Sequence, residues 1–192
     1  MIVTKEYRLG TDQILTCMIP EFPKWINLIL EELKEGSDKL KFSHRIGGRW
    51  ENSYLAVDHV PSVRVPMRLA RGLAKEKWNK PTLIFYEPIA NTINPHPPFW
   101  FNIAEVGDLT GIHDHTKLAS VSGVVYLKSN TASGELYFQK EDEDDLLIVP
   151  EVGKMVLFPS HLRHGVHCNK SEDERISLSF NLYPFPLLSE EW

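Results

Sequence analysis

Hydrophobic positions change their period once along this chain. In "PEFPKWINLILEELKEG" they recur every three or four residues. Trp25, Ile26, Ile29, Leu30 and Leu33 form one stripe, Pro23 sits near its start and Gly36 ends it, so the stretch predicts an amphipathic helix. "VPSVRVPMRLARGLAKEKWNKP" predicts a second helix over roughly 64–78, stopped before Pro81. After that the runs shorten. "TLIFYEPIA", "FWFNIAEV", "SVSGVVYL", "GELYFQK", "LLIVP", "KMVLFPS" and "RISLSFNLY" are β-branched or aromatic, with Gly, Pro, Asn, Asp and Ser between them. Seven such strands at short spacing predict a mainly β, double-sheet jelly roll with N-terminal helices. No flexible linker intervenes, so residues 1–192 read as one domain: a helical layer over about 1–80 packed on a jelly-roll core over about 81–186.

Composition narrows the partners. A chain of 192 residues, 42% apolar, can bury a proper core. A formal net charge of −5 argues against nucleic acid or an anionic membrane as the main partner. No apolar run approaches the ~20 residues of a membrane span, and "MIVTKEYRLG" lacks the apolar region of a signal peptide. Cys17 and Cys168 form no C-x-x-C pair, which leaves a cytoplasmic protein with reduced thiols as the expectation. "EDEDD" at 141–145 reads as a solvated loop, because adjacent carboxylates repel one another. "HPPFW" at 96–100 is a proline-stiffened segment that either shapes a pocket rim or simply connects strands.

The chemistry gathers around histidine. Five of the eight histidines lie between 113 and 167, and His113 and His115 stand two apart beside a strand-like run. On a strand, positions i and i+2 point the same way, about 6.6 Å apart, so both imidazoles can lean onto one metal ion while Asp114 faces away. A third ligand must come from elsewhere, and "VLFPSHLRHGVHCNKSEDERISLSFN" offers His164. If its two arms form a hairpin centred between Asn169 and Lys170, His164 faces Arg175, a register that one bulge would spoil. On the second arm Arg175, Ser177, Ser179 and Asn181 alternate with Ile176, Leu178, Phe180 and Leu182. That polar face either meets water or lines the barrel interior. In the interior, Arg175 offers a planar fork to a carboxylate and Ser177 a hydroxyl. A metal beside such a pair suits a cosubstrate that chelates at one end and carries an anion at the other, as 2-oxoglutarate does.

"HDH" followed by "SGVVYL", "GKMVLFPSHLRHGVH" and "ERISLSFNLYP" together resemble a family of small Fe(II)/2-oxoglutarate-dependent oxygenases found mostly in bacteria and phages. The resemblance spans about 100–184 and leaves 1–95 without a comparable motif. It implies a double-stranded β-helix with Fe(II) on His113, His115 and His164, and the far carboxylate of 2-oxoglutarate on Arg175 and Ser177. The wider superfamily uses His-x-Asp/Glu, so His115 is a departure; three neutral imidazoles would leave the iron its full +2 charge until the cosubstrate arrives. Asp114 is the fallback ligand if the strand is locally twisted. Tyr126, Asn102 and Asn181 are candidates to hydrogen-bond the cosubstrate, with core or ladder roles as the alternative. His161 and His167, three residues either side of His164, read as rim or supporting residues.

The implied reaction consumes O2, converts 2-oxoglutarate to succinate and CO2, and hydroxylates a small molecule or a peptide or protein side chain. Two rivals stand beside it. One is a cupin-type metal-dependent dioxygenase or isomerase with the same histidines and no 2-oxoglutarate, which has no need of Arg175 and Ser177. The other is a non-catalytic jelly-roll binding module. An exposed jelly-roll edge strand commonly pairs with a second copy, so a homodimer is also an expectation.

Overall fold

The computed structural model of the chain describes residues 2–46, 49–80, 83–84, 96–115 and 119–184. The first part of the chain runs β1 (Thr4–Leu9), β2 (Asp12–Met18), α1 (Phe22–Glu35), β3 (Lys41–Ile46), β4 (Arg49–Tyr54), α2 (Arg64–Trp78) and β5 (Leu83–Ile84). The second part is all strand: β6 (Phe99–Ala104), β7 (Thr110–His113), β8 (Val121–Lys128), β9 (Leu136–Gln139), β10 (Leu146–Ile148), β11 (Lys154–Pro159), β12 (Arg163–Val166) and β13 (Arg175–Pro184).

Two sheets result. The larger runs β1-β2-β11-β8-β13-β6-β4-β3, with β5 added against the end of β13; the smaller runs β10-β9-β12-β7. This is the jelly roll that the strand spacing predicts. Both helices form as the sequence pattern predicts, and the backbone N–H of Gly36 closes α1 on the Glu32 carbonyl at 2.9 Å. Ile26, Ile29 and Leu33 of α1, and Met67, Ala70 and Leu73 of α2, share one buried cluster with Ile176, Leu178, Phe180 and Leu182. The helices therefore cover the apolar face of β13. Its other face turns inward: Arg175 is 1% exposed and Ser177 5%. The polar alternation of β13 lines the interior, and the water-facing reading of it does not hold.

Three features depart from the sequence reading. Residues 1–80 are more than a helical layer, because β1–β4 supply both flanks of the large sheet. Of "TLIFYEPIA", Leu83–Ile84 form a strand and the rest lies outside the described residues. The hairpin placing His164 against Arg175 is absent. β12 pairs with β7 and β9 in the small sheet, whereas β13 pairs with β6 and β8 in the large one. The linking segment crosses the barrel as a corner held by fully buried Asn169. The Asn169 amide donates to the carbonyls of Ala104 and Asp173 at 3.0 and 2.9 Å. Its side-chain oxygen accepts from the N–H of Ser171 at 3.1 Å.

Gly123 of β8 shows how tightly the large sheet is filled. A Cβ there would collide with the Phe180 ring and a Leu157 methyl, both in the core. Gly123→Ala should cost about 2 kcal/mol by overpacking, a Tm drop of roughly 5 °C in a domain of this size. An unchanged melting temperature would show that the core yields there.

Candidate metal centre and cosubstrate pocket

His113 ends β7 and faces His164 of β12 in direct register. His115 lies two residues beyond His113, its backbone N–H donating to the Ser160 carbonyl at 2.8 Å. One ring nitrogen from each of the three lies within 4.8 Å of the others. Ring centroids are 4.4 Å apart for His113–His164, 5.0 Å for His113–His115 and 5.3 Å for His115–His164.

Two of the rings are already oriented. His113 Nδ1 sits 2.8 Å from the Gly111 carbonyl, and His164 Nδ1 sits 2.8 Å from the Leu162 carbonyl. A carbonyl only accepts, so both Nδ1 atoms carry the proton and both Nε2 atoms keep the lone pair a metal needs. Burial lowers the pKa of His115 to about 4 and that of His164 to about 3, with the charge of His113 adding to both. Neutral imidazoles are the ligand form. The donor set thus fits a divalent transition metal. Exposed Asp114 is not in the cluster. His161 instead meets Asp12 at 3.0 Å, and His167 meets Glu135 at 3.2 Å while stacking on Tyr137.

The depressed pKa values carry a stability consequence. The unfolded chain protonates these imidazoles near pH 6.5, whereas the folded chain holds them neutral to about pH 4 and 3. The unfolded state therefore binds more protons below pH 6.5, and metal-free protein loses stability as pH falls from 6.5 toward 4. A Tm loss on the order of 5–10 °C across that window is expected. A variant with both histidines changed to Asn should lose distinctly less; an equally steep fall would contradict the assignment.

The second half of the site lies on the inner face of the large sheet. Arg175 Nη1 donates to the Ser133 carbonyl at 2.6 Å. Its Nη2 is buried without a hydrogen-bond partner among the described residues, and so is the hydroxyl of Tyr126. Burial pushes the Tyr126 pKa upward, so the phenol stays protonated. Ser177 is the register partner of Tyr126 on one side and of Asn102 on the other. A register shift between Ile176 and Ser177 re-aims the strand beside Arg175, and another between His164 and Val166 does so beside the histidines. A buried guanidinium and a buried phenol, each short of one acceptor, suit a carboxylate that would complete both.

Asn102 and Asn181 are already engaged. The Asn102 amide donates to the Glu51 carbonyl at 3.1 Å and to the Thr110 hydroxyl at 3.4 Å. Asn181 Oδ1 accepts from Ser122 at 2.8 Å, and Ser122 lies 3.0 Å from the Ser160 hydroxyl. Because Ser122 spends its proton on Asn181, Ser160 donates to Ser122. Asn181 thus braces the residue whose carbonyl holds His115.

Ser133 is a member of the site that strand patterns do not reveal. The sequence signal is the turn "NTASG". Gly134 takes φ +84°, where a Cβ would collide with the His167 carbonyl. Only glycine lets this loop approach closely enough to aim the Ser133 carbonyl at Arg175.

Comparison with known proteins bears on the fold. Residues 139–181 match the family model described as "Putative 2OG-Fe(II) oxygenase". A Pseudomonas putida prolyl-4-hydroxylase is 15% identical, with 92% of this chain and 95% of that chain covered and a TM-score of 0.66. The fold is that of the 2-oxoglutarate/Fe(II) oxygenases. The epimerase SnoN, solved with Fe3+, alpha ketoglutarate and nogalamycin RO, shares this oxygenase fold at 14% identity, 90% and 79% coverage and a TM-score of 0.64. A Trichoplax adhaerens prolyl hydroxylase, solved with a hypoxia inducible factor peptide fragment, does so at 14% identity, 87% and 82% coverage and a TM-score of 0.60. No curated protein matches the chain. Among the described residues, no helix of this oxygenase fold is long and apolar enough to cross a membrane.

Proposed function

We propose that the chain is a 2-oxoglutarate-dependent oxygenase that holds Fe(II) on His113, His115 and His164. Arg175, Ser177 and Tyr126 would receive the far carboxylate of 2-oxoglutarate. The observation that carries the reading is the pairing, within one jelly roll, of a convergent histidine trio with a buried guanidinium whose Nη2 lacks an acceptor among the described residues. When bound, the iron and the keto acid supply oxidative decarboxylation to succinate and CO2, coupled to hydroxylation of a C–H bond by O2. The chain's own residues position and insulate. The Gly111 and Leu162 carbonyls hold His113 and His164 as Nε2 ligands. The Ser133 carbonyl holds Arg175 while its free Nη2 and the Tyr126 hydroxyl wait for the anion.

The substrate side has a chemical character of its own. Trp100 tilts against His115 at 5.6 Å, Tyr54 lies 6.3 Å from Trp100, and His96 stacks on Tyr54 at 4.2 Å. This aromatic wall suits a ring-bearing or apolar group on a small molecule or a peptide side chain. The free thiols of Cys17 and Cys168 suit a reducing compartment, the cytoplasm.

The test is turnover without a known substrate. With Fe(II), 2-oxoglutarate and O2, the wild-type protein should consume oxygen slowly and form succinate in step with it. Oxygen uptake without succinate would point to a metal-dependent dioxygenase of the cupin kind.

A further inference from the structure

The β3–β4 hairpin carries a second guanidinium toward the row of polar residues beside Arg175. Arg49 opens β4, far from the matched 139–181 segment. Its Nη2 reaches Asn102 Oδ1 at 3.5 Å, and its Nη1 lies 3.5 Å from Asp108 Oδ2. Nη1 is nevertheless buried and makes no hydrogen bond among the described residues. Asn102 is the register partner of Ser177, which is in turn the partner of Tyr126. Tyr126, Ser177 and Asn102 therefore stand in register across β8, β13 and β6, Arg49 reaches Asn102 from β4 by its side chain, and Arg175 lies two residues from Ser177 on the same strand face. The two guanidiniums feel each other, since the charge of Arg49 joins burial in lowering the pKa of Arg175. Asp108 lies beside Arg49, and the buried carboxylate of Glu51 stands two residues along β4.

We propose that Arg49 is a second positioning residue for 2-oxoglutarate, its Nη1 donating to the far carboxylate opposite Arg175. An anion between the two guanidiniums would take a charge-assisted hydrogen bond from each. This inference rests on the cosubstrate reading above and adds to it a residue from the first 80 positions. The structural alternative is that Arg49 only ties the hairpin to the loop bearing Asp108.

Two keto acids separate these roles. 2-Oxovalerate has the same carbon chain as 2-oxoglutarate and lacks the far carboxylate. Anaerobic calorimetric titration of Fe(II)-loaded Arg49→Met should show 2-oxoglutarate binding about tenfold weaker than wild type, the loss of one charge-assisted hydrogen bond. Binding of 2-oxovalerate should be unchanged, and Arg49→Lys should recover part of the loss. No change for 2-oxoglutarate, or an equal loss for both keto acids, would overturn the role of Arg49. If wild-type protein binds neither, or binds both alike, the cosubstrate reading falls and takes this inference with it.

Discussion

Arg175→Met should keep its fold and its metal, yet take up 2-oxoglutarate about 100-fold more weakly than wild type. The guanidinium is 1% exposed and spends one nitrogen on the Ser133 carbonyl. Its other terminal nitrogen is buried without an acceptor among the described residues. A carboxylate entering there gains charge-assisted hydrogen bonds in a site already stripped of water, worth about 3 kcal/mol together. Methionine retains the apolar stem and removes every donor, so packing changes little while recognition is lost. Anaerobic calorimetry with Fe(II) present measures the affinity directly. Unchanged affinity would remove Arg175 from the cosubstrate site.

His164→Ala should fail to retain iron. His164 is 5% exposed, sits opposite His113 in register and presents a fixed Nε2. Removing it leaves two imidazoles, one of them on a segment beyond the end of β7, and metal affinity should fall by more than ~100-fold, beyond the loss typical of an outer-shell partner. Asp114→Asn should retain iron as wild type does, because Asp114 is exposed and outside the cluster. Metal content after anaerobic reconstitution and dialysis decides both. Full occupancy in His164→Ala would exclude it as a ligand; loss of iron in Asp114→Asn would return the aspartate to the site.

The legible parts of the sequence were those where one strong local signal acted alone. α1 and α2 carry clear apolar stripes with Pro and Gly at their limits, and they form as read. His-x-His followed by a distal His named three residues that the fold brings together. β1 and β2 escaped because their charged and polar residues dilute the period-two pattern: Thr4–Leu9 reads TKEYRL. β3 and β4 do carry a local sign. "RIGGRW" is two strand-like ends around Gly-Gly, a two-residue hairpin signal, and Ile46 does pair with Arg49. The crossing at 164–175 is hidden for another reason. A polar loop between two arms looks the same whether it turns within one sheet or crosses to the other. Asn169 decides it through hydrogen bonds to Ala104 and Asp173, and the first of these spans 65 residues. Arg49 and Ser133 were illegible for the same reason, since the folded barrel alone makes them neighbours of Arg175.

A single titration separates the three possible roles of this jelly roll. Fe(II) is loaded anaerobically and 2-oxoglutarate added while the visible metal-to-ligand charge-transfer band is followed. A keto acid chelated to an open-sided iron site should produce this band in wild type and fail to do so at the same concentrations in Arg175→Met. Iron bound with no band at any 2-oxoglutarate concentration would contradict the central claim and favour a cupin-type enzyme. No iron bound at all would leave a jelly-roll binding module.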